Sequence, residues 1–311
     1  MTRFLVWARE FRAYRTIVDG LAQHPGLRFL GLAAGPLAWI LMANLAPLVQ
    51  MIAISLQDRY PLPPGEAAVW TLRHYQAFID RPLYLNAFLR SFVFATAMTL
   101  LTLAVMFPVA YYLSKVAPAG WRVRLLLLVV APFWVSEIVR SFAWMLMLAN
   151  SGAVNAALMA AGVTDGPVEL LYNRISLTVG VLYLSSLYML LPLYAAIEKI
   201  EDKVIEAAAD LGAGPVRRFW RVILPLSREG IVAGCTLVFL LTVGLYAMPQ
   251  LLGGPGDTLF AATIGQVFGR AGDSWPLGSA FSIILILAAL AYVGLFAALL
   301  LRRGSVRSVV P

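Results

Sequence analysis

Five stretches of this chain run for 23 residues or more without a charged side chain: Phe29 to Gln57, Ser91 to Ser114, Ile175 to Ile197, Gly230 to Gly256 and Ser274 to Leu301. Crossing hydrocarbon takes about 20 apolar residues, and a backbone out of reach of water must satisfy its own hydrogen bonds, so each stretch is expected to be a spanning helix. A further segment, Leu125 to Ala149, is apolar but carries Glu137 and Arg140, and reads as a third span. Asn150-Ser151-Gly152 after it is turn chemistry, and Ala153 to Val163 reads as a short helix at the outer face. Composition agrees: 61% of the 311 residues are hydrophobic and 13% charged, against roughly 45–50% and about 25% in ordinary globular domains. The expected class is all-α, a polytopic membrane protein with six spans near 29–56, 88–114, 125–149, 175–197, 230–252 and 277–301.

A net charge of +8 would suit nucleic acid in a soluble chain. Here it sorts by side. With the N-terminus in the cytoplasm, the inner segments 1–28, 115–124, 198–229 and 302–311 hold 17 of the 24 basic residues and the outer loops five. Arg90 and Arg140 lie at or within the membrane. That asymmetry is the positive-inside pattern, and both termini are expected in the cytoplasm. Basic charge here reports topology, which argues against a nucleic-acid partner.

Residues 1–28 are too interrupted by arginine to be a secretory signal. Phe4, Trp7, Phe11, Tyr14 and Val18 recur at helical spacing. They indicate either an amphipathic helix on the inner leaflet or a basic tail. Residues 302–311 form a second basic tail. Cys235 stands alone in the fifth span, so neither a disulfide nor a thiolate metal set is expected.

The inner loop from Glu198 to Glu229 is long for a connection between spans. Asp202 suits an N-cap, and Val204 to Leu211 is rich in helix formers. Gly212 sits where a helix closes in a left-handed turn. Pro215 then starts a second helix that carries Arg217, Arg218, Phe219, Trp220 and Arg221 and is expected to end at Pro225. By physics alone such a knob is a docking surface or an inert interfacial cap.

Glu206-Ala207-Ala208, then Gly212, Val222, Leu224 and Pro225, matches the spacing of the Glu-Ala-Ala (EAA) loop of binding-protein-dependent ABC importer permeases. Val222 stands where that pattern has Ile. Pro132-Phe133-Trp134, Arg140-Ser141-Phe142-Ala143-Trp144 and Leu251 to Asp257 resemble the spermidine/putrescine branch, and parts of these are shared with opine, aminophosphonate and ferric-ion permeases. The resemblance implies the type I importer permease fold, with the loop as a coupling helix seated in a separate ATPase. It implies a second permease subunit (a heterodimer expected), two ATPase copies that bind ATP and magnesium, and a periplasmic binding protein. On that reading Glu206, Ala207, Ala208, Leu211, Gly212, Ala213, Leu224 and Pro225 form the ATPase-coupling set. The substrate implied is a polyamine or a related amine-bearing solute, with another small polar solute as the alternative.

The chain itself holds no enzyme signature. No Gly-Lys dipeptide occurs, so there is no P-loop, and His24 and His74 fall on opposite sides of the membrane. No cofactor is expected in this chain. Ion-coupled secondary transport would instead call for inverted repeats, and it leaves the EAA pattern unexplained. Charged groups inside a span often mark a pathway, and Glu137 and Arg140, three apart, share a helix face on which they can pair. Asn44, Tyr188 and Tyr246 are further path candidates, together with Gln50, Tyr183 and Thr242; each is alternatively a hydrogen bond between helices. Tyr246 precedes Pro249 and the Gly253-Gly254 turn, where an irregular helix is expected. Pro36, Pro47, Pro108, Pro132, Pro192 and Pro249 mark kinks or static bends. On the outer side Asp257 is the candidate contact for the binding protein.

Overall fold

The computed structural model describes residues 25–269 and 274–302, and over them the chain is a bundle of helices. The expectations for residues 1–24 and for 303–311 lie outside this range. In chain order the helices are α1 (Pro25–Ser55), α2 (Arg73–Asp80), α3 (Pro82–Tyr111), α4 (Ala119–Val130), α5 (Glu137–Leu148), α6 (Ala153–Ala160) and α7 (Arg174–Glu198). There follow α8 (Asp202–Asp210), α9 (Pro215–Leu226), α10 (Arg228–Val243), α11 (Ala247–Leu252), α12 (Phe260–Phe268) and α13 (Ser274–Arg302). Five helical stretches among the described residues are long and apolar enough to cross a membrane, and the pair α9–α10, bent by 70°, passes the same test only when its two helices are taken together.

The interior of the bundle is α3, α7 and α10 packed on one another. Small residues set how closely they approach. A Cβ on Gly230 would stand 2.5 Å from the Pro192 carbonyl oxygen, and one on Gly234 would stand 2.7 Å from Met189 Sδ. Close backbone approach at glycine is the usual way helices gain contact in lipid, where the hydrophobic effect does not drive association. Around this contact Phe107, Leu190, Leu193, Ile197, Ile223 and Val238 form one buried cluster. Toward the opposite end Phe78, Tyr84, Phe260 and Phe281 form a second, joined by edge-to-face rings. By contrast, α1 and α13, which pack on each other, turn Trp39, Met42, Leu287 and Leu290 outward. So much exposed apolar surface fits lipid or a neighbouring subunit, not water.

Two expected spans are interrupted. The third is α4, a 3₁₀ turn at Ala131–Trp134, a break at Val135 and Ser136, and then α5. Pro132 lies in that 3₁₀ turn. The fifth breaks at Gly244–Tyr246, between α10 and α11. Pro36, Pro47, Pro108 and Pro192 stay inside continuous helices, so of the six prolines only Pro132 and Pro249 accompany an interruption. The short α6 is present as expected. Asn155 fixes it, donating to the Ala149 and Val168 carbonyls and accepting from the Val168 N–H.

Candidate functional site

The 198–229 loop folds as two helices with an elbow. α8 ends at Asp210 with Leu211 as its C-cap, and Gly212 takes φ +77°. The Ala213 N–H donates to the Ala208 carbonyl (3.0 Å) and the Gly212 N–H to the Ala209 carbonyl (2.8 Å), the paired bonds of a Schellman turn. Left-handed φ is where glycine carries no Cβ penalty. The expected glycine turn is therefore present. Pro215 holds the first position of α9, also as expected.

Two details differ from the sequence reading. Glu201, not Asp202, holds the N-cap position of α8 and makes no side-chain cap; the Asp202 carboxylate instead accepts from Lys115 Nζ at 2.9 Å. That hydrogen bond, reinforced by the ammonium charge, holds the Asp202 carboxyl below its usual range. Nor does Pro225 end the second helix at its own position. The preceding turn, Phe219–Ile223, widens into a π-helix, and the helix runs on to Leu226 before bending into α10. A proline ring clashes with the carbonyl four residues back, and a widened turn relieves that clash.

The loop has an inner and an outer apolar face. Ile205, Phe219, Ile223 and Leu224 pack into the α3–α7–α10 core. Leu211 is 88% exposed, and Val204, Val216 and Trp220 are exposed as well. Glu206, Ala207 and Pro225 are exposed, whereas Ala208 and Ala213 are half-buried. The expected coupling set thus forms a protruding knob with apolar side chains at its surface, while Leu224 belongs to the packing that fixes the knob in place.

In the sequence Lys115 is one of the inner positive charges. Its side chain is 8% exposed, and Nζ donates to the Glu198 and Ile200 carbonyls and to Asp202. No spacing rule links Lys115 to an aspartate 87 positions later; its place as the first charge after the second span was the only signal.

The residues proposed for the path do not gather at one point. Glu137 and Arg140 share α5 but form no ion pair. Glu137 is exposed, while Arg140 is buried with Nε and Nη1 lacking hydrogen-bond partners. The guanidinium lies over the Phe133 ring, 4.8 Å from its centroid. Phe133 stacks on Tyr183 at 5.4 Å, and Trp144 meets Tyr183 edge-on at 5.5 Å. Phe133 comes from the 3₁₀ turn on the far side of the break at residues 135–136, and its aromatic face, in place of the expected carboxylate, meets the guanidinium. Tyr246 lies at the second break, 47% exposed, where a Cβ on Gly265 would strike its ring. Tyr188 is partly exposed on α7. Asn44 donates to the Ile40 carbonyl of its own helix (2.7 Å), on α1 and apart from the aromatic cluster. Thr242 is fully buried and its hydroxyl has no partner.

At the end opposite the knob, Asp257 is held within the chain. It accepts from Arg174 Nε (3.0 Å) and from the Gly254 N–H (3.2 Å), and its side chain is 13% exposed. Arg90 donates to the Gly256 carbonyl at 2.5 Å. Beside it Arg81, Arg90, Asn86, Thr258, Thr263 and Gln266 line a polar cavity of about 430 Å³. Sequence reasoning named Asp257 there and missed the two arginines that fasten its loop. Among the described residues no group of His, Cys, Asp and Glu could hold a metal ion.

Comparison with known proteins gives one consistent result. Residues 77–306 match the family described as "Binding-protein-dependent transport system inner membrane component". The chain is 36% identical to the spermidine/putrescine transport system permease protein PotB of Haemophilus influenzae, over 79% of this chain and 85% of that one. It is 34% identical to the PotB of Escherichia coli, over 79% and 88%, and 31% identical to the E. coli inner membrane ABC transporter permease protein YdcU, over 89% and 92%. In fold it is similar to a chain of a bacterial ABC transporter that imports the acidic polysaccharide alginate (TM-score 0.66, 19% identity, 93% and 99% covered). It is also similar to a chain of a bacterial alginate transporter in complex with its pentasaccharide-bound periplasmic protein (TM-score 0.68, 18% identity, 92% and 96% covered).

Proposed function

The chain belongs to the binding-protein-dependent inner-membrane transport components and is an ABC importer permease subunit, and from that premise we propose how it works. It forms half of a translocation path with a second, homologous permease in a heterodimer. It couples to two copies of a separate ATPase through the knob at 198–229, and it receives solute from a periplasmic binding protein. ATP and magnesium are bound by the ATPase subunits, and this chain contributes movement. Both termini lie in the cytoplasm, on the side of the knob. The solute is a polyamine or a related amine. That choice of substrate is supported by the spermidine/putrescine permeases among its relatives.

The observation that carries the coupling reading is the knob itself. Leu211, Val216 and Trp220, on either side of the Gly212 elbow, are 88%, 70% and 62% exposed. Large exposed apolar side chains gathered on one protrusion mark a surface that another protein covers. Gly212 gives the elbow its left-handed turn. Gly212→Asp has open space around the new Cβ but puts an L-residue at φ +77° and a carboxylate at the elbow beside exposed Leu211. We expect it to insert normally and to lower spermidine uptake by at least about tenfold while ATP hydrolysis continues. Uptake at the wild-type rate would falsify the coupling role.

A further inference from the structure

Lys115 is placed to do more than balance charge. An ammonium group has three donors and accepts nothing. All three donors of Lys115 are directed at residues 198–202: the Glu198 carbonyl (3.4 Å), the Ile200 carbonyl, and the Asp202 carboxylate (2.9 Å). Glu198 ends α7 and Asp202 begins α8, so one side chain from the end of α3 joins the close of one helix to the start of the next. Each contact has the favourable sign. Carbonyls left over at a helix C-terminus attract a cation, and an aspartate in a first helical turn is itself stabilised by the helix dipole. The chain reaches this point through a π-helical turn, Tyr112–Val116, in which the Ala117 N–H bonds to the Tyr112 carbonyl (2.8 Å). The extra residue in that turn sets the direction in which Lys115 leaves the helix.

The second helix of the knob is held differently. Phe107 of α3 meets Phe219 edge-on at 5.2 Å, and Tyr111, Ile205, Val216, Phe219 and Trp220 border a cavity of about 430 Å³ beside it. Contact between apolar faces can slide, whereas three directed bonds to a buried ammonium cannot move without breaking. We infer that Lys115 is a positioning residue for transport: it clamps α8 to the inner end of the second span, so that displacement of the knob is passed to α3 through directed bonds, beside the apolar packing by which α9 meets the same span. This rests on the coupling reading above and adds which span is driven and through which atoms.

The test uses the whole transporter, with partner permease, ATPase and cognate binding protein, in proteoliposomes. Lys115→Met is expected to keep the ATPase subunits bound and basal ATP hydrolysis intact. It should reduce both binding-protein-stimulated hydrolysis and spermidine uptake about tenfold, within the range that coupling residues command. Lys115→Arg, which keeps the charge and the donors, should recover much of the loss. A purely structural role would lower basal hydrolysis and complex yield together with uptake. Should Lys115→Met fail to insert, Asp202→Ala decides: it is exposed, leaves the span untouched, and is expected to lower stimulated hydrolysis and uptake about threefold. Wild-type uptake in the inserted Lys115→Met complex, or in Asp202→Ala where that variant decides, overturns the clamp while leaving the coupling reading intact. A wild-type chain that retains no ATPase overturns both.

Discussion

Lys115 and Arg140 are both withdrawn from solvent, and the fold treats them in opposite ways. Lys115, at the end of the second span, has every donor matched by an acceptor supplied by its own chain. Arg140, within the broken third span, has two nitrogens with no acceptor and lies on a phenylalanine ring. A matched buried cation is a fixed joint, because moving it costs all of its hydrogen bonds together. An unmatched one is a standing cost: about 2.5–3.5 kcal/mol near a bilayer centre, of which a cation–π contact returns about 0.5–2 kcal/mol. The first region is therefore built for force transmission within the subunit. The second keeps unmet hydrogen-bonding capacity beside two helix interruptions.

The sharpest way to break this contrast is to replace each cation by an apolar side chain of similar length. Lys115→Met should lower thermal stability in detergent by the equivalent of about 1.5–3 kcal/mol, because carbonyls of Glu198 and Ile200 lose a charged donor. Arg140→Met should leave stability unchanged or raise it, because no hydrogen bond is lost and a desolvated charge is removed. Melting temperatures that fall equally for the two variants would erase the distinction. A smaller effect is expected at Phe133. Phe133→Leu keeps much of the apolar contact but removes the ring under Arg140, so it should destabilise by about 0.5–2 kcal/mol in wild type and by less in the Arg140→Met background. Equal losses in both backgrounds would show that the ring serves packing alone.

The smallest effect concerns pH. The Asp202 carboxyl is held below its usual value by the Lys115 hydrogen bond. A carboxyl lowered by folding contributes stability that is complete above its unfolded value, about 3.9, and is lost as pH falls through the lowered folded value. Proteolytic protection of the 198–229 loop should thus be flat from about pH 6 to 8 and decline only well into acid. An Asp202→Asn chain should lack that acid-side component. A protection midpoint near pH 7 would mean that another group governs the joint.

Much of this was legible from residue order because the deciding forces are local or scalar. A long charge-free run must be helical in lipid whatever its neighbours are, and the family pattern from Glu206 to Pro225 is read along one continuous segment. Gly212 announced its turn because only glycine takes φ +77° without a Cβ penalty. Even the irregularity near Tyr246 followed from adjacent Pro249 and paired glycines. Local pairing rules stop being sufficient where a distant residue competes for the same group. Glu137 and Arg140 have the right spacing for an ion pair, yet Phe133, from the far side of the break at 135–136, meets the guanidinium and the carboxylate is exposed. Asp202 has the right place for a cap, yet a lysine from another span takes its carboxylate.

The sequence by itself determined that this chain crosses a membrane, which class of transporter it belongs to, and where its knob turns. Only the tertiary structure decided which charges are matched. Matching depends on acceptors 83 to 87 positions away being brought within hydrogen-bonding distance of one donor, and no pattern of neighbouring residues encodes that distance.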